Sequence, residues 1–198
     1  DWRLMLGFGR GWGITAADGH LAASTIALPY GADFAWIAMV LVLPEHRRRG
    51  YASHLLRVAL AEMAAQQRVA LLDATPAGHD VYVQEGFRDF WGFKRFALRS
   101  GIFFSGAREI RQLDSKDWAA VLTLDAIGFG GSREMVLRNL AARQPGLALV
   151  MERGGDIAGF VLGREGREAL QVGPLVARDE SAAQELFAAA VARAGAPV

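Results

Sequence analysis

The chain contains no cysteine. That excludes disulfides, thiolate metal sites and a cysteine nucleophile. No apolar run approaches the ~20 residues of a membrane helix, and the first residues lack a signal-peptide pattern, so a cytoplasmic location is expected. An excess of one charge is also lacking. Lysine and arginine total 22 against 21 acidic residues, a net charge of +1. Each half is balanced separately: residues 1–100 carry 11 basic and 9 acidic groups, and residues 101–198 carry 11 and 12. Bulk attraction to nucleic acid or anionic membrane is therefore not expected. The four histidines are scattered, without metal-ligand spacing. Apolar residues, in contrast, are plentiful. Of 198 residues 52% are hydrophobic and 22% charged, enough core for one large domain or two small ones.

The most informative stretch is Ala35 to Met63. It opens with an apolar run, Ala35 to Leu43, bounded by Pro44. Trp36, Ile37, Val40 and Val42 favour a strand, and the unbroken apolar pattern predicts one buried on both faces. A charged loop, Glu45 to Gly50, follows. Then the period changes: Ala52, Leu55, Leu56, Ala59, Leu60 and Met63 recur at three and four, one face of a helix. Strand, tight loop and helix in this order have a chemical use. The first turn of a helix carries backbone N–H groups without partners and a partial positive charge, so it attracts anions, phosphate above all. Gly50 removes the side chain where a ligand must approach the backbone, and Ala52 does nearly the same. Arg47, Arg48 and Arg49 add positive charge nearby.

The hexamer Arg47-Arg48-Arg49-Gly50-Tyr51-Ala52 resembles the R/Q-x-x-G-x-G/A signature of the GNAT acyltransferases. The resemblance implies acetyl-coenzyme A as co-substrate. Backbone groups of Leu41, Val42 and Leu43 would hold its pantetheine arm like an added strand. Backbone N–H groups from Arg48 to Ser53 would cradle its pyrophosphate. A second segment, Val81-Tyr82-Val83-Gln84-Glu85-Gly86-Phe87, is similar to the family's hydrophobic-Tyr-x-x-x-Gly-Phe hallmark. The chain departs from the family's habit at Thr75, where members often carry Asn, and at Gly78, where they often carry Ala. By resemblance, Tyr82 is the general acid that gives the departing thiolate a proton. The base is open among Glu45, His46, Asp73 and His79; His79 shares a helix face with Tyr82.

The remaining segments fit around this stretch. Asp1 to Gly9 reads as the tail of a helix or a helix-to-strand connection; a complete member of the family would have a first strand and one or two helices before this point, and this sequence does not include them. Gly11 to Ala16 and Leu21 to Leu28 are strands joined by the Asp18-Gly19 turn. Arg68 to Ala74 reads as a buried strand, Ala77 to Glu85 as a helix stopped by Gly86, and Phe87 to Phe90 with Gly92 to Leu98 as an aromatic hairpin. Arg99 to Gly106 marks a boundary, dividing the chain into domains 1–100 and 101–198. Beyond it come helices over about Lys116 to Ile127 and Arg133 to Arg143. Strands follow at Leu147 to Glu152, Ile157 to Gly163 and Ala169 to Val176, then a helix from about Glu180 to Ala194.

This second half repeats the order of the first, so it resembles a second unit of the same family. In Arg178-Asp179-Glu180-Ser181, however, Ser181 replaces the signature glycine, and carboxylates stand where arginines stood. Two carboxylates near a pyrophosphate repel it. The second unit is therefore expected to have lost coenzyme A binding. It could complete an acceptor pocket, with Asp125, Asp179 and Glu180 facing a cationic amine, or cover one face of the first sheet in place of a dimer partner.

The expected fold is α/β: tandem units, each a mixed sheet flanked by helices. The activity implied by the resemblance is acetyl transfer from acetyl-coenzyme A to an amine, with a small molecule as the broadest acceptor class. No metal, nucleic acid or membrane is expected, and a homodimer is allowed. Two other classes compete: a non-catalytic acyl-coenzyme A sensor that tolerates loss of Tyr82, and a nucleic-acid module using Arg47 to Arg49, which predicts steep salt dependence.

Overall fold

Two four-stranded sheets carry the fold, one in each of two units, residues 1–93 and 94–198. The structure, a computed structural model, describes residues 2–94, 96–98 and 109–195. The expected boundary stretch, Arg99 to Gly106, lies outside the described residues.

The first unit runs α1 (Trp2–Phe8), β1 (Arg10–Thr15), β2 (Leu21–Tyr30), β3 (Phe34–Val42), α2 (Tyr51–Ala65), β4 (Val69–Leu71) and α3 (Pro76–Gln84). Its sheet order is β1-β2-β3-β4, antiparallel through β3 and parallel between β3 and β4. The strand covered on both faces is β2, from Ala22 to Leu28, and not β3 as the apolar run predicts. Small residues explain β2's place: Ala22, Ala23, Ser24 and Ala27 let elements on both sides approach. In β3, Ala35 and Ile37 pack against Leu56, Ala59 and Met63 of α2, while Trp36 and Ala38 are half-covered. Burying a leucine such as Leu56 completely contributes about 1.5–3 kcal/mol.

Two expectations fail here. The strand predicted over Arg68 to Ala74 shrinks to Val69–Leu71, and Val69 is 63% exposed. It lies at the sheet edge with one neighbour, so hydrophobic composition alone does not extend it. The predicted aromatic hairpin is absent from the described residues between Phe87 and Leu98. Phe90 is 90% exposed, and Trp91, Phe93 and Phe96 are exposed too. Aromatic β-propensity acts through packing on a neighbouring face, and among the described residues Trp91 and Phe93 meet only each other's rings, 6.1 Å apart, with no strand beside them.

The second unit runs β5 (Ile110–Gln112), α4 (Trp118–Phe129), α5 (Glu134–Arg143), β6 (Leu149–Arg153), β7 (Asp156–Glu165), β8 (Leu170–Ala177) and α6 (Glu180–Ala194). The sheet order is β5-β6-β7-β8, antiparallel throughout. Alternation along the strands builds two cores. Val150, Phe160 and Leu162 face Val121 and Leu137 from α4 and α5. Leu149, Met151 and Val161 face Leu186 and Ala190 of α6. Two charged groups are buried with partners. Asp125, 1% exposed, receives two bonds from Arg133 at 2.9 and 2.8 Å. Asp117 receives two from Arg111, which also holds Glu152, and these carboxylates keep the guanidinium protonated well above its ordinary range. Among the described residues no helix is long and apolar enough to cross a membrane.

Candidate functional site

The site grows from an interruption in β3. Between Ala38 and Leu41 this strand takes three steps while β2 takes two, from Ile26 to Ser24. Met39 absorbs the extra residue at φ 53°, in the left-handed region. The bulge resets the alternation. Val40 joins Ala35 and Ile37 against α2, and Leu41 turns outward at 52% exposure. A bulge also breaks the regular backbone ladder, and two hydroxyls of β2 bond the carbonyls beside it. Ser24 Oγ donates to Met39 O at 3.0 Å, and Thr25 Oγ1 to Ala38 O at 3.5 Å.

On its other side β3 pairs with β4 only at Phe34, Ala35 and Trp36. The outer edge from Ile37 to Val42 has no strand partner among the described residues. Leu41 and Leu43, assigned to a ligand arm by the sequence, lie exposed at the end of this open edge, with Val42 half-covered between them. An open strand edge presents N–H and C=O groups to any extended ligand that reaches it.

The charged loop follows at once. Pro44–His46 forms a single 3₁₀ turn, and the chain reaches Gly50, the N-cap of α2. Gly50 has φ 77° and ψ 6°, and a Cβ there would meet nothing within 4 Å. No side chain caps this helix. The N–H groups of Tyr51, Ala52 and Ser53 therefore point outward without a capping partner, at the positive end of a 15-residue helix. Such an arrangement can hold an anion, and its residues fit a diphosphate.

The arginines are placed less simply than the sequence suggests. Arg47 Nε donates to Val42 O at 3.4 Å, and Arg49 Nη2 to Glu45 O at 3.2 Å. Both guanidinium groups thus turn back onto their own loop. Arg48 holds a left-handed backbone, φ 58°. Tyr51 stacks on His46 with ring centres 6.3 Å apart.

Tyr82 lies on α3 and packs against the core that α2 and β3 share. Its ring meets Phe87 edge-on at 6.1 Å. The ring also lies back over its own helix, across Gly78. A Cβ on Gly78 would sit 3.0 Å from Tyr82 Cε2 and 3.2 Å from the phenol oxygen. Burial raises the phenol's pKa from its ordinary value; a phenol already carries its proton at neutral pH, the state a proton donor needs.

The four candidate bases are not brought together. Glu45 and Asp73 are exposed, in the 3₁₀ turn and after β4. His46 is stacked on Tyr51. His79 Nε2 contacts both Asp89 carboxylate oxygens, at 3.0 and 3.1 Å, and Nδ1 lies 3.6 Å from Asp80; these carboxylates, Asp89 first, raise its pKa.

Two features are new to the structure. One is the Ser24–Thr25 support of the bulge, whose only sequence signal is a hydroxyl pair inside an apolar strand. The other is Glu85, which has no motif to announce it. Its carboxylate accepts from Arg57 at 2.8 and 2.9 Å, joining α2 to the end of α3, and Arg57 first, with Ser53 after it, holds its pKa below the ordinary carboxylate value.

The second unit answers the same chemistry differently. Eight residues, 43–50, separate β3 from α2, whereas two, 178–179, separate β8 from α6. The N-cap of α6 is Asp179, whose Oδ1 accepts from Ala182 N at 2.8 Å. Ser181 stands inside the helix and not at the cap, where the alignment by signature had put it. Arg153 Nη1 reaches Asp179 at 3.4 Å and also pairs with Glu109 and Glu185. Asp125 is likewise occupied, by Arg133.

A model of the acetyltransferase (GNAT) family matches residues 2–87, and a model of an acetyltransferase (GNAT) domain matches residues 121–198. No curated protein matches the chain. Among solved structures, a protein of Pyrococcus horikoshii described as an acetyltransferase shares the fold at a TM-score of 0.69 and 22% identity, over 92% of this chain and 60% of its own. The GCN5-related N-acetyltransferase from Sphaerobacter thermophilus gives 0.60 and 17%, over 95% and 70%. A protein of Enterococcus faecalis V583 described as an N-acyltransferase gives 0.58 and 16%, over 99% and 55%. The chain thus spans 60% of the Pyrococcus protein and 55% of the Enterococcus protein.

Proposed function

The chain belongs to the GNAT acetyltransferases, and from that premise we propose that its first unit transfers an acetyl group from acetyl-coenzyme A to an amine of a small molecule. One observation carries the reading: the open edge of β3 leads, through an eight-residue loop, to an uncapped helix N-terminus, so an extended arm and a diphosphate would find their partners one after the other. Backbone groups of Leu41, Val42 and Leu43 take the arm. N–H groups from Arg48 to Ser53 take the diphosphate, with Gly50 leaving the approach clear.

Acetyl-coenzyme A, when bound, supplies an activated acyl group: a nitrogen–carbon bond replaces the carbon–sulfur bond, the amine loses a proton and sulfur gains one. Tyr82 holds the proton that sulfur receives. Gly78 lets the phenol lie where it does. The second unit does not bind the cofactor, because Asp179 fills the N-terminus of α6 and the connecting loop has two residues.

The test is calorimetric titration with acetyl-coenzyme A, followed by an amine screen and a Tyr82→Phe variant. Binding by both proteins is expected, with turnover of the variant lowered about 10²-fold or more. Unchanged turnover removes the proton donor; binding without turnover on any amine favours the sensor reading.

A further inference from the structure

Glu85 is out of place beside an anion site. Its side chain is 7% exposed and is held by Arg57, which stands one turn after Ser53, the third residue of α2, on the same face of that helix. Ser53 also carries one of the N–H groups left without a partner at that helix's start. A carboxylate one turn from a helix start is a ready cap for the amides themselves, since negative charge is favourable there. The second unit shows the outcome: Asp179 sits on the N-terminus of α6 and bonds Ala182 N at 2.8 Å. In the first unit the carboxylate is held elsewhere. Both its oxygens are engaged by Arg57, through Nε at 2.8 Å and Nη2 at 2.9 Å, a two-pronged pairing that fixes direction as well as charge.

We propose that Arg57 is a guard of the anion site: by gripping Glu85 in a fork it neutralises that carboxylate and holds it off the amides of Tyr51, Ala52 and Ser53, leaving them free for the diphosphate of the ligand. Arg57 is thus a positioning residue, acting through Glu85 and not by contact with the ligand. The inference rests on the reading of the first unit as a coenzyme A site. It also accounts for the tie between α2 and α3: the same fork joins the helix that meets the diphosphate to the one that bears Tyr82.

The experiment is a double-mutant cycle read by calorimetric titration with coenzyme A, using Arg57→Met, Glu85→Gln and the pair together, each checked for folding by circular dichroism. Arg57→Met leaves a negative charge beside the helix start and is expected to raise Kd about tenfold. Glu85→Gln alone is expected to stay within about twofold of the parent, and the double variant to return close to it. A double variant as weak as Arg57→Met overturns the proposal, because Arg57 then acts as a direct ligand. An Arg57→Met protein that binds like the parent overturns it too. Failure of the parent itself to bind coenzyme A refutes the underlying reading of the site, a result distinct from either. Glu85→Asp with Arg57 intact separates geometry from charge: binding like the parent supports charge neutralisation, and weakening as large as Arg57→Met counts against it.

Discussion

Replacing Gly50 separates backbone strain from charge at one position. Gly50 has φ 77° and ψ 6°, and a Cβ there meets nothing within 4 Å. Any L residue therefore carries the left-handed backbone cost, about 1–2 kcal/mol, with no added clash. Gly50→Gln and Gly50→Glu share that cost and nearly the same volume. Both should lower the unfolding midpoint of the first unit by about 4–8 °C for each kcal/mol, measured by differential scanning calorimetry. Coenzyme A separates them. A carboxylate at the helix start lies within a few ångströms of the diphosphate position. One like charge at such a distance costs about 1–4 kcal/mol between the aqueous and partly screened limits, so Gly50→Glu should bind at least about fivefold more weakly than Gly50→Gln. The gap should narrow as salt is raised. Equal affinities for the two variants would refute the placement of the diphosphate at this turn. A Gly50→Gln protein as stable as the parent would refute the strain argument.

Other consequences are as direct. Asp125→Ala leaves Arg133, itself largely covered, without its partner and should destabilise the second unit by about 3–5 kcal/mol in urea unfolding; Asp125→Leu with Arg133→Met should recover most of that. Asp179→Ala removes the cap of α6 and should cost about 0.5–2 kcal/mol, yet create no second coenzyme A site in calorimetry, because the two-residue loop remains. His79 carries a raised pKa from Asp89, so its contact is fully formed below the ordinary value of 6.5 and is lost as pH rises through the higher folded-state value. An NMR titration of the His79 ring should show that elevated midpoint, and Asp89→Asn should bring it down.

Much of the local structure around the proposed site was legible in the residues. The change of period at Gly50, from a continuous apolar run to a three-and-four repeat, fixes strand, loop and helix in order, because side-chain burial has a different period in each. Gly50 at a left-handed N-cap and Tyr82 on a helix ended by Gly86 both follow from local chemistry. Local chemistry also misleads. Phe87 to Leu98 has strand-forming side chains but no described partner. Ser181 occupies the signature position by count but falls inside a helix, since loop length and not spacing sets the cap.

What the sequence determined by itself is what neighbours along the chain decide: helix starts and stops, faces of helices, and the absence of thiol chemistry. Only the tertiary structure decided which strand is central, where β3 bulges, and that its ladder to β4 ends at Trp36. It alone brought Glu85 to Arg57 across α3 and α2, and Arg153 to Asp179 across β6 and α6. These contacts join residues tens of positions apart. Their energies depend on distances that no local pattern encodes, and so they become readable only once the sheet has placed the helices.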